Sequence, residues 1–315
     1  MQQTLSKKET GLIIVPYAEI KNYNSGVNIG DNSKRVEMYM KNISVACISA
    51  RKNNGTKTDI ALVTNIEIKE PYKSLLLKNG VKIINVPFDK FNFGAEYRWS
   101  LAFYKLCALY HVCRETNYDF YAYLDSDVFV QGDFSDIWNE CKNNVLLYDI
   151  NHGFQVEDYR HFLSEVNDFL KEEKNITHFG GEFFASNKEN AVFFSQKFLD
   201  VYDGMTATNF VTTHGDEFIL SVAANGLMDR IKNAGAYVYR YWTGEFRLVS
   251  TNYKYNPVVV LHVPSEKNTG MLKLFDCYIR KNKKPDRDRV WHILNLKNRS
   301  FICGTKILIK KIIRK

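Results

Sequence analysis

The stretch FYAYLDSDVFV, residues 120–130, decides the reading of this chain. Five apolar or aromatic residues lead into Asp125 and Asp127, and apolar character resumes at once. Isolated carboxylates are costly to bury. The run is therefore expected to deliver them into a cleft, or to meet positive charge there. The two-residue spacing lets a tight bend turn both carboxylates towards one bound object. Paired carboxylates suit a hard divalent cation, Mn²⁺ or Mg²⁺, of the kind that bridges protein to substrate phosphates. Solvated aspartates at a strand-end turn are the plain alternative.

Working outward, GLIIVPY (11–17), TDIALVT (58–64) and VKIINVPF (81–88) are apolar runs of strand length. Helical patterns separate them: 33–50, with Ser33 as cap and Val36, Met40 and Ile43 in register; PYKSLLLKNG (71–80), between Pro and Gly; and 96–113. Downstream, strands are expected at 143–150, after the Gly-turn of HFGGEFFASN (178–187), at 236–242 and at 256–263. Helices are expected at 156–174, 188–203 and 215–226. Strands alternating with helices predict an α/β fold, a mostly parallel twisted sheet covered on both faces. Ligands of such sheets bind beyond the carboxyl ends of the strands, where Asp125 and Asp127 would lie.

The segment FYAYLDSDVFVQGDFSDIW resembles the DxD region of GT-A fold glycosyltransferases, which are Rossmann-like. The likeness is to family 8, the type of glycogenin and the bacterial lipooligosaccharide galactosyltransferases. HFGGEFFASNKENAVFF and HGDEFILSVAANG are similar to acceptor-side segments of that fold, with a cast like the histo-blood-group transferases. The resemblance covers about residues 11–265. It implies a nucleotide-sugar donor, a UDP-sugar first, and transfer of a hexose to an oligosaccharide or glycolipid acceptor of a surface glycan such as lipopolysaccharide or capsule.

Within that resemblance, Asp125 and Asp127 would hold the metal, and His262, at the end of VVVLHV, would be its third ligand. Ser126 between the aspartates, Lys267, and Arg98 with Lys105 two helical turns on, are candidates to contact the donor, its diphosphate above all. Gly180 and Gly181 would let backbone approach the sugars, with Glu182 a candidate acceptor contact. Tyr17, closing the first strand, is a candidate to stack on the nucleobase. Asp216 and Glu217 open a helix, where the dipole alone favours carboxylates. As catalytic groups, one would hold donor hydroxyls and the other face the anomeric carbon. That second group would stabilise or attack the centre in a retaining enzyme, or take the acceptor proton in an inverting one. The families resembled tilt the expectation to retention. A haloacid-dehalogenase-like phosphohydrolase and a non-catalytic sugar-nucleotide-binding module are the rivals. The first would carry its DxD on the first strand, not after three.

Charge divides the chain. Residues 271–315 hold 14 Lys and Arg against three Asp, a net +11, leaving −3 for residues 1–270 of a chain whose net charge is +8. We therefore expect a catalytic domain over 1–270 and a basic extension over 271–315. Within the extension, TKILIKKIIRK alternates Leu308, Ile309, Ile312 and Ile313 with Lys310, Lys311 and Arg314. This is a basic amphipathic helix suited to an anionic membrane surface. Nucleic acid is not an expected partner: the first 270 residues are mildly acidic and carry no helix-turn-helix, RNP or zinc pattern. No apolar run approaches the ~20 residues that span a bilayer. The early GLIIVPYA reads as a strand rather than a signal peptide. Six scattered cysteines without a CxxC pair point to free thiols in a reducing compartment. The expected location is cytoplasmic, peripheral at the inner face of the membrane.

Overall fold

A computed structural model describes residues 9–23, 32–150, 156–243, 258–296 and 309. Ten strands and nine α-helices are found among them: β1 Gly11–Tyr17, α1 Asn32–Asn53, β2 Thr58–Thr64, α2 Tyr72–Lys78, β3 Val81–Asn85, α3 Tyr104–Glu115, β4 Phe120–Leu124, β5 Val128–Val130, α4 Ser135–Cys141, β6 Val145–Asp149, α5 Val156–Leu170, β7 Phe179–Asn187, α6 Lys188–Ala207, α7 Asp216–Ala224, β8 Ile231–Asn233, β9 Val238–Arg240, β10 Val260–His262, α8 Gly270–Leu274 and α9 Arg287–Ile293.

Seven strands form one sheet in the order β3-β2-β1-β4-β7-β6-β8. Neighbouring pairs from β3 to β4 are parallel, as are β6 and β8, while β7 runs antiparallel to both β4 and β6. The sheet is the mostly parallel, doubly covered one expected from the sequence. Its centre reads as unbroken apolar runs because both faces are buried. Ile13, Val15 and Tyr17 of β1 join the core under α1, whereas Leu12 and Ile14 join the core of α3, α6 and α7.

The apolar run of the opening stretch serves two sheets. β4 ends at Leu124, and β5 starts at Val128 in a second, three-stranded sheet of order β5-β10-β9. Asp125 and Asp127 sit in the hinge between them. Backbone bonds fix that hinge: Asp125 N–H donates to Glu182 O at 3.1 Å, and Val263 N–H donates to Asp127 O at 3.0 Å.

Three local expectations change. The helix read over 96–113 begins later: Trp99 is left-handed (φ 65°), Ser100–Phe103 is a 3-10 turn, and α3 starts at Tyr104. HFGG is not a turn: Phe179, Gly180 and Gly181 already belong to β7, and His178 directly precedes it. The third concerns the basic segment. The boundary expected between 270 and 271 falls at the start of α8, and Met271, Leu274, Phe275, Ile279, Val290 and Trp291 are buried in the core shared with α1. The amphipathic helix read in 305–315 lies outside the described residues apart from Ile309, and the cap expected at Ser33 lies outside the described side chains. Among the described residues, five cysteines are free and no helix is long and apolar enough to cross a membrane.

Candidate active site

A cavity of about 390 Å³ opens at the carboxyl ends of β1, β4, β9 and β10 and at the amino end of α7. Tyr17, Lys105, Asp125, Ser126, Asp127, Gly181, Asp216, Glu217, His262 and Lys267 all line it, so the structure brings together most of the residues singled out in the sequence. Two do not line it. Gly180 lies behind the wall, where an added Cβ would strike Glu182 and Ile150. Arg98 is exposed in the turn before α3, with its guanidinium 5.2 Å from the Trp99 ring centroid, because the helix expected to align it with Lys105 has not begun there.

Asp125, Asp127 and His262 each offer a ligand atom, and these atoms all lie within 4.8 Å of one another. His262 Nε2 is 3.4 Å from Asp127 Oδ2 and 3.8 Å from Asp125 Oδ2. Asp127 is buried; its Oδ2 faces Lys267 Nζ at 3.2 Å and His262 Nε2 at 3.4 Å, while its Oδ1 has no hydrogen-bond partner. Such a buried acceptor is exceptional unless an ion completes it. Two carboxylates and one imidazole are a donor set for a divalent cation. Burial opposes ionisation of Asp127, but Lys267 and His262 outweigh it and hold its pKa well below the usual carboxylate range. Burial likewise disfavours the His262 cation, yet Asp127 and Glu182 push its pKa up to about 9.

Two half-buried cations tie this group to the carboxylates of α7. Lys105 Nζ donates to Asp125 Oδ1 at 2.7 Å and to Gly181 O at 2.9 Å, and lies 3.2 Å from Asp216 Oδ2. On the other side, Arg240 Nε donates to Glu182 Oε1 at 2.7 Å, and its Nη2 donates to Glu217 Oε1 at 2.7 Å. Glu182 is fully buried and also meets His262 Nδ1 at 3.1 Å. An ionised carboxylate only accepts, so Nδ1 carries a proton whether or not the ring is charged, and Nε2 is the atom turned to the aspartates. Arg240 and the interior placement of Glu182 were not foreseen. A lone arginine within AYVYRYW was the available signal, since a charge in a buried strand demands a partner.

The adjacent carboxylates of α7 differ in how tightly they hold a proton. Asp216 is 5 % exposed, and burial pushes its pKa up to about 6; Asp125 and Glu217 add to the rise, and Lys105 opposes it. Glu217 is also penalised by burial, but Arg240 and His178 draw it well below the usual range. His178 Nε2 faces Glu217 Oε2 at 3.3 Å, and its ring is stacked on Phe162 at 4.0 Å. Gly181 N–H donates to Glu217 Oε1 at 3.4 Å. The glycine matters for Asp216 as well: a Cβ there would collide with the Asp216 carboxylate.

At the other end of the cavity, Tyr17 donates its hydroxyl to Glu19 Oε1 at 2.6 Å and packs 5.4 Å from the Tyr39 ring. Glu19 is paired with Arg35 at 2.6 Å. Trp99 and Trp242 line the opposite rim; neither was singled out in the sequence.

No family model and no curated protein matches the sequence. Solved structures do. An active-site mutant of LgtC, a family 8 galactosyltransferase, superposes with a TM-score of 0.56 at 13% identity, over 90% of this chain and 99% of that one. Mouse xyloside xylosyltransferase 1 superposes with a TM-score of 0.51 at 11% identity, over 82% of this chain and 98% of that one. At such identities the likeness is one of architecture, and the architecture is the GT-A fold these two glycosyltransferases share.

Proposed function

We propose that this chain is a metal-dependent glycosyltransferase that moves a hexose from a UDP-sugar to an oligosaccharide or glycolipid acceptor, with retention at the anomeric carbon. One observation carries the reading: Asp125, Asp127 and His262 converge in a cleft that also presents Asp216 and Glu217, with Lys105 between Asp125 and Asp216. The names of the two structural neighbours support it. The choice of UDP, hexose and retention rests on the resemblance to family 8.

Mn²⁺ or Mg²⁺ is the cofactor we assign to Asp125, Asp127 and His262. When bound, it would neutralise charge on the leaving diphosphate. Lys267, 3.2 Å from Asp127, is placed to meet the same phosphates. Ser126 and Gly181 line the cleft and are assigned to the donor, and the Tyr17 ring is assigned to the nucleobase. Glu217, held ionised by Arg240 and His178, is assigned to the developing positive charge at the anomeric carbon. Asp216, beside Lys105, is assigned to the sugar hydroxyls. The sugar–diphosphate bond breaks, its electron pair leaving on the diphosphate oxygen, and the acceptor oxygen forms the new bond on the same face while its proton passes to that departing diphosphate. Gly180 acts one layer back, making room for Glu182 and Arg240.

We further place the enzyme at the inner face of the membrane, with residues 271–315 as the contact. The exposure of Lys273, Arg280, Lys281, Lys283, Lys284 and Arg287 supports that reading. The deciding experiment is a donor screen with manganese and chelator arms that reads released nucleotide. One UDP-sugar is expected to turn over, and chelator or Asp127→Ala to abolish it. Turnover of generic phosphomonoesters without a nucleotide-sugar would point to the phosphohydrolase instead. Metal-dependent UDP binding without hydrolysis of any donor would point to a binding module.

A further inference from the structure

A second group of ligand atoms gathers where α3 meets the segment after β3; Cys107 is buried there, and none of the residues lines the cleft. Cys107 and His111, one helical turn apart on α3, meet Asp89 from the segment after β3. His111 Nε2 is 2.8 Å from Asp89 Oδ1, Cys107 Sγ is 3.7 Å from the same oxygen, and Cys107 Sγ is 3.3 Å from Pro87 O. Behind the ring, His111 Nδ1 lies 2.9 Å from Glu115 Oε1.

The two contacts of His111 cannot both be hydrogen bonds of a neutral ring. Ionised Asp89 and Glu115 only accept, and neutral imidazole carries one N–H. If Nδ1–H donates to Glu115, then Nε2 turns a lone pair towards the Asp89 carboxylate, and a positive charge must lie between them. A second ring proton could supply it. The thiol of Cys107 beside the same oxygen favours a metal ion. A tetrahedral zinc, with bonds of about 2.0–2.3 Å, holds its sulfur, nitrogen and oxygen ligands roughly 3.3–3.7 Å apart; Cys107 Sγ already stands 3.7 Å from Asp89 Oδ1, and His111 Nε2, at 2.8 Å, would draw back from that oxygen by about half an ångström to admit the ion. A carboxylate behind a ligating histidine is also the usual arrangement for fixing its tautomer.

We propose that Asp89, Cys107 and His111 form a zinc-type site that fastens the segment after β3 to α3. Its thiol and imidazole select a borderline metal such as Zn²⁺, unlike the oxygen-rich set at Asp125 and Asp127. Cys107 is two residues from Lys105 on the same helix, so the site would steady the element that carries Lys105 into the cleft.

Sulfur makes the test specific. The full-length chain, stripped with chelator, is titrated with Co²⁺ alone and followed by near-ultraviolet absorption. A cysteine-to-cobalt charge-transfer band is expected, saturating at one equivalent and bleached by Zn²⁺. It should persist in the double variant Asp125→Ala with Asp127→Ala, because that site holds no sulfur. It should vanish in Cys107→Ser, and His111→Gln should weaken cobalt binding roughly tenfold or more. His111→Gln keeps the proposal testable if the buried serine substitution does not fold. Absence of the band in the parent chain, its survival in Cys107→Ser, or unchanged affinity in His111→Gln would each overturn the assignment. His111 would then be an imidazolium between two carboxylates.

Discussion

Glu182 holds His262 from behind: its Oε1 accepts the Nδ1 proton at 3.1 Å, which leaves Nε2 aimed at Asp125 and Asp127. The glutamate is in turn gripped by Arg240, whose other amino group holds Glu217. The candidate metal shell and a candidate catalytic carboxylate are therefore set by one guanidinium. Glu182→Ala removes the orienting acceptor and leaves half-buried Arg240 with half its charge pairing. Manganese binding, measured by electron paramagnetic resonance or calorimetry, should weaken roughly 10–100-fold. Unchanged affinity would mean that His262 is not a ligand or needs no support.

Asp216 sets a conflict between stability and function. Its pKa stands at about 6, above the usual carboxylate value, so the folded state holds the proton more tightly than the unfolded chain does. Its contribution to stability is fully present below about pH 4 and is lost as pH rises through about 6. Asp216→Asn is uncharged throughout, and Lys105 keeps Asp125 as a partner. The variant should therefore gain on the parent between pH 5 and pH 8, by roughly 1–3 kcal/mol at about 1.4 kcal/mol per pKa unit. Donor turnover should fall in the same variant. Urea melts across that pH range decide the first half; a gain at acid pH instead would reverse the assigned sign.

The fold was legible because its central strands are buried on both faces and read as continuous apolar runs. The hinge aspartates were legible because two carboxylates broke such a run. What escaped was long-range or steric. Arg240 and Glu182 are paired across 58 positions, and neither stretch alone announces the other. Gly180 and Gly181 were read as a turn because glycine most often marks one. Here they are strand residues whose missing Cβ atoms make room for Glu182 and Asp216. The start of α3 was misplaced because Trp99 adopts a left-handed backbone that bulky residues rarely take. Nothing in its neighbours signals that, and the error carried Arg98 into the cleft.

Gly181→Ala follows from the same geometry. The new Cβ would lie 2.9 Å from Asp216 Cγ and 3.2 Å from Lys105 Nζ. Gly181 is buried within β7, so the Asp216 side chain is the group expected to move. Displacement of a group by about 1 Å can cost on the order of 100-fold in rate, and that loss is expected in kcat of donor turnover. Gly132→Ala is the control, because its Cβ would meet only Val259 Cγ2 at 3.4 Å. Equal activity in both variants would remove Asp216 from the machinery.

The basic segment has one structural role and one proposed role, and the two are separable. Trp291 is fully buried, and its Nε1–H donates to Gln131 Oε1 at 2.9 Å. Gln131 follows β5 directly, and β5 follows the aspartate hinge. Residues 271–296 therefore brace the strand that positions Asp127. Trp291→Ala should cost about 3–5 kcal/mol and be visible as a lowered melting temperature. A chain ending at 270 should fail to fold, whereas one ending at 296 should keep its cooperative melt and its manganese binding. The latter lacks Lys297, Arg299, Lys306, Lys310, Lys311, Arg314 and Lys315. At up to about 1 kcal/mol per basic residue near an anionic surface, its affinity for phosphatidylserine vesicles should fall steeply. Co-sedimentation of both chains with charged and neutral vesicles measures this. Equal binding would move any membrane contact off residues 297–315.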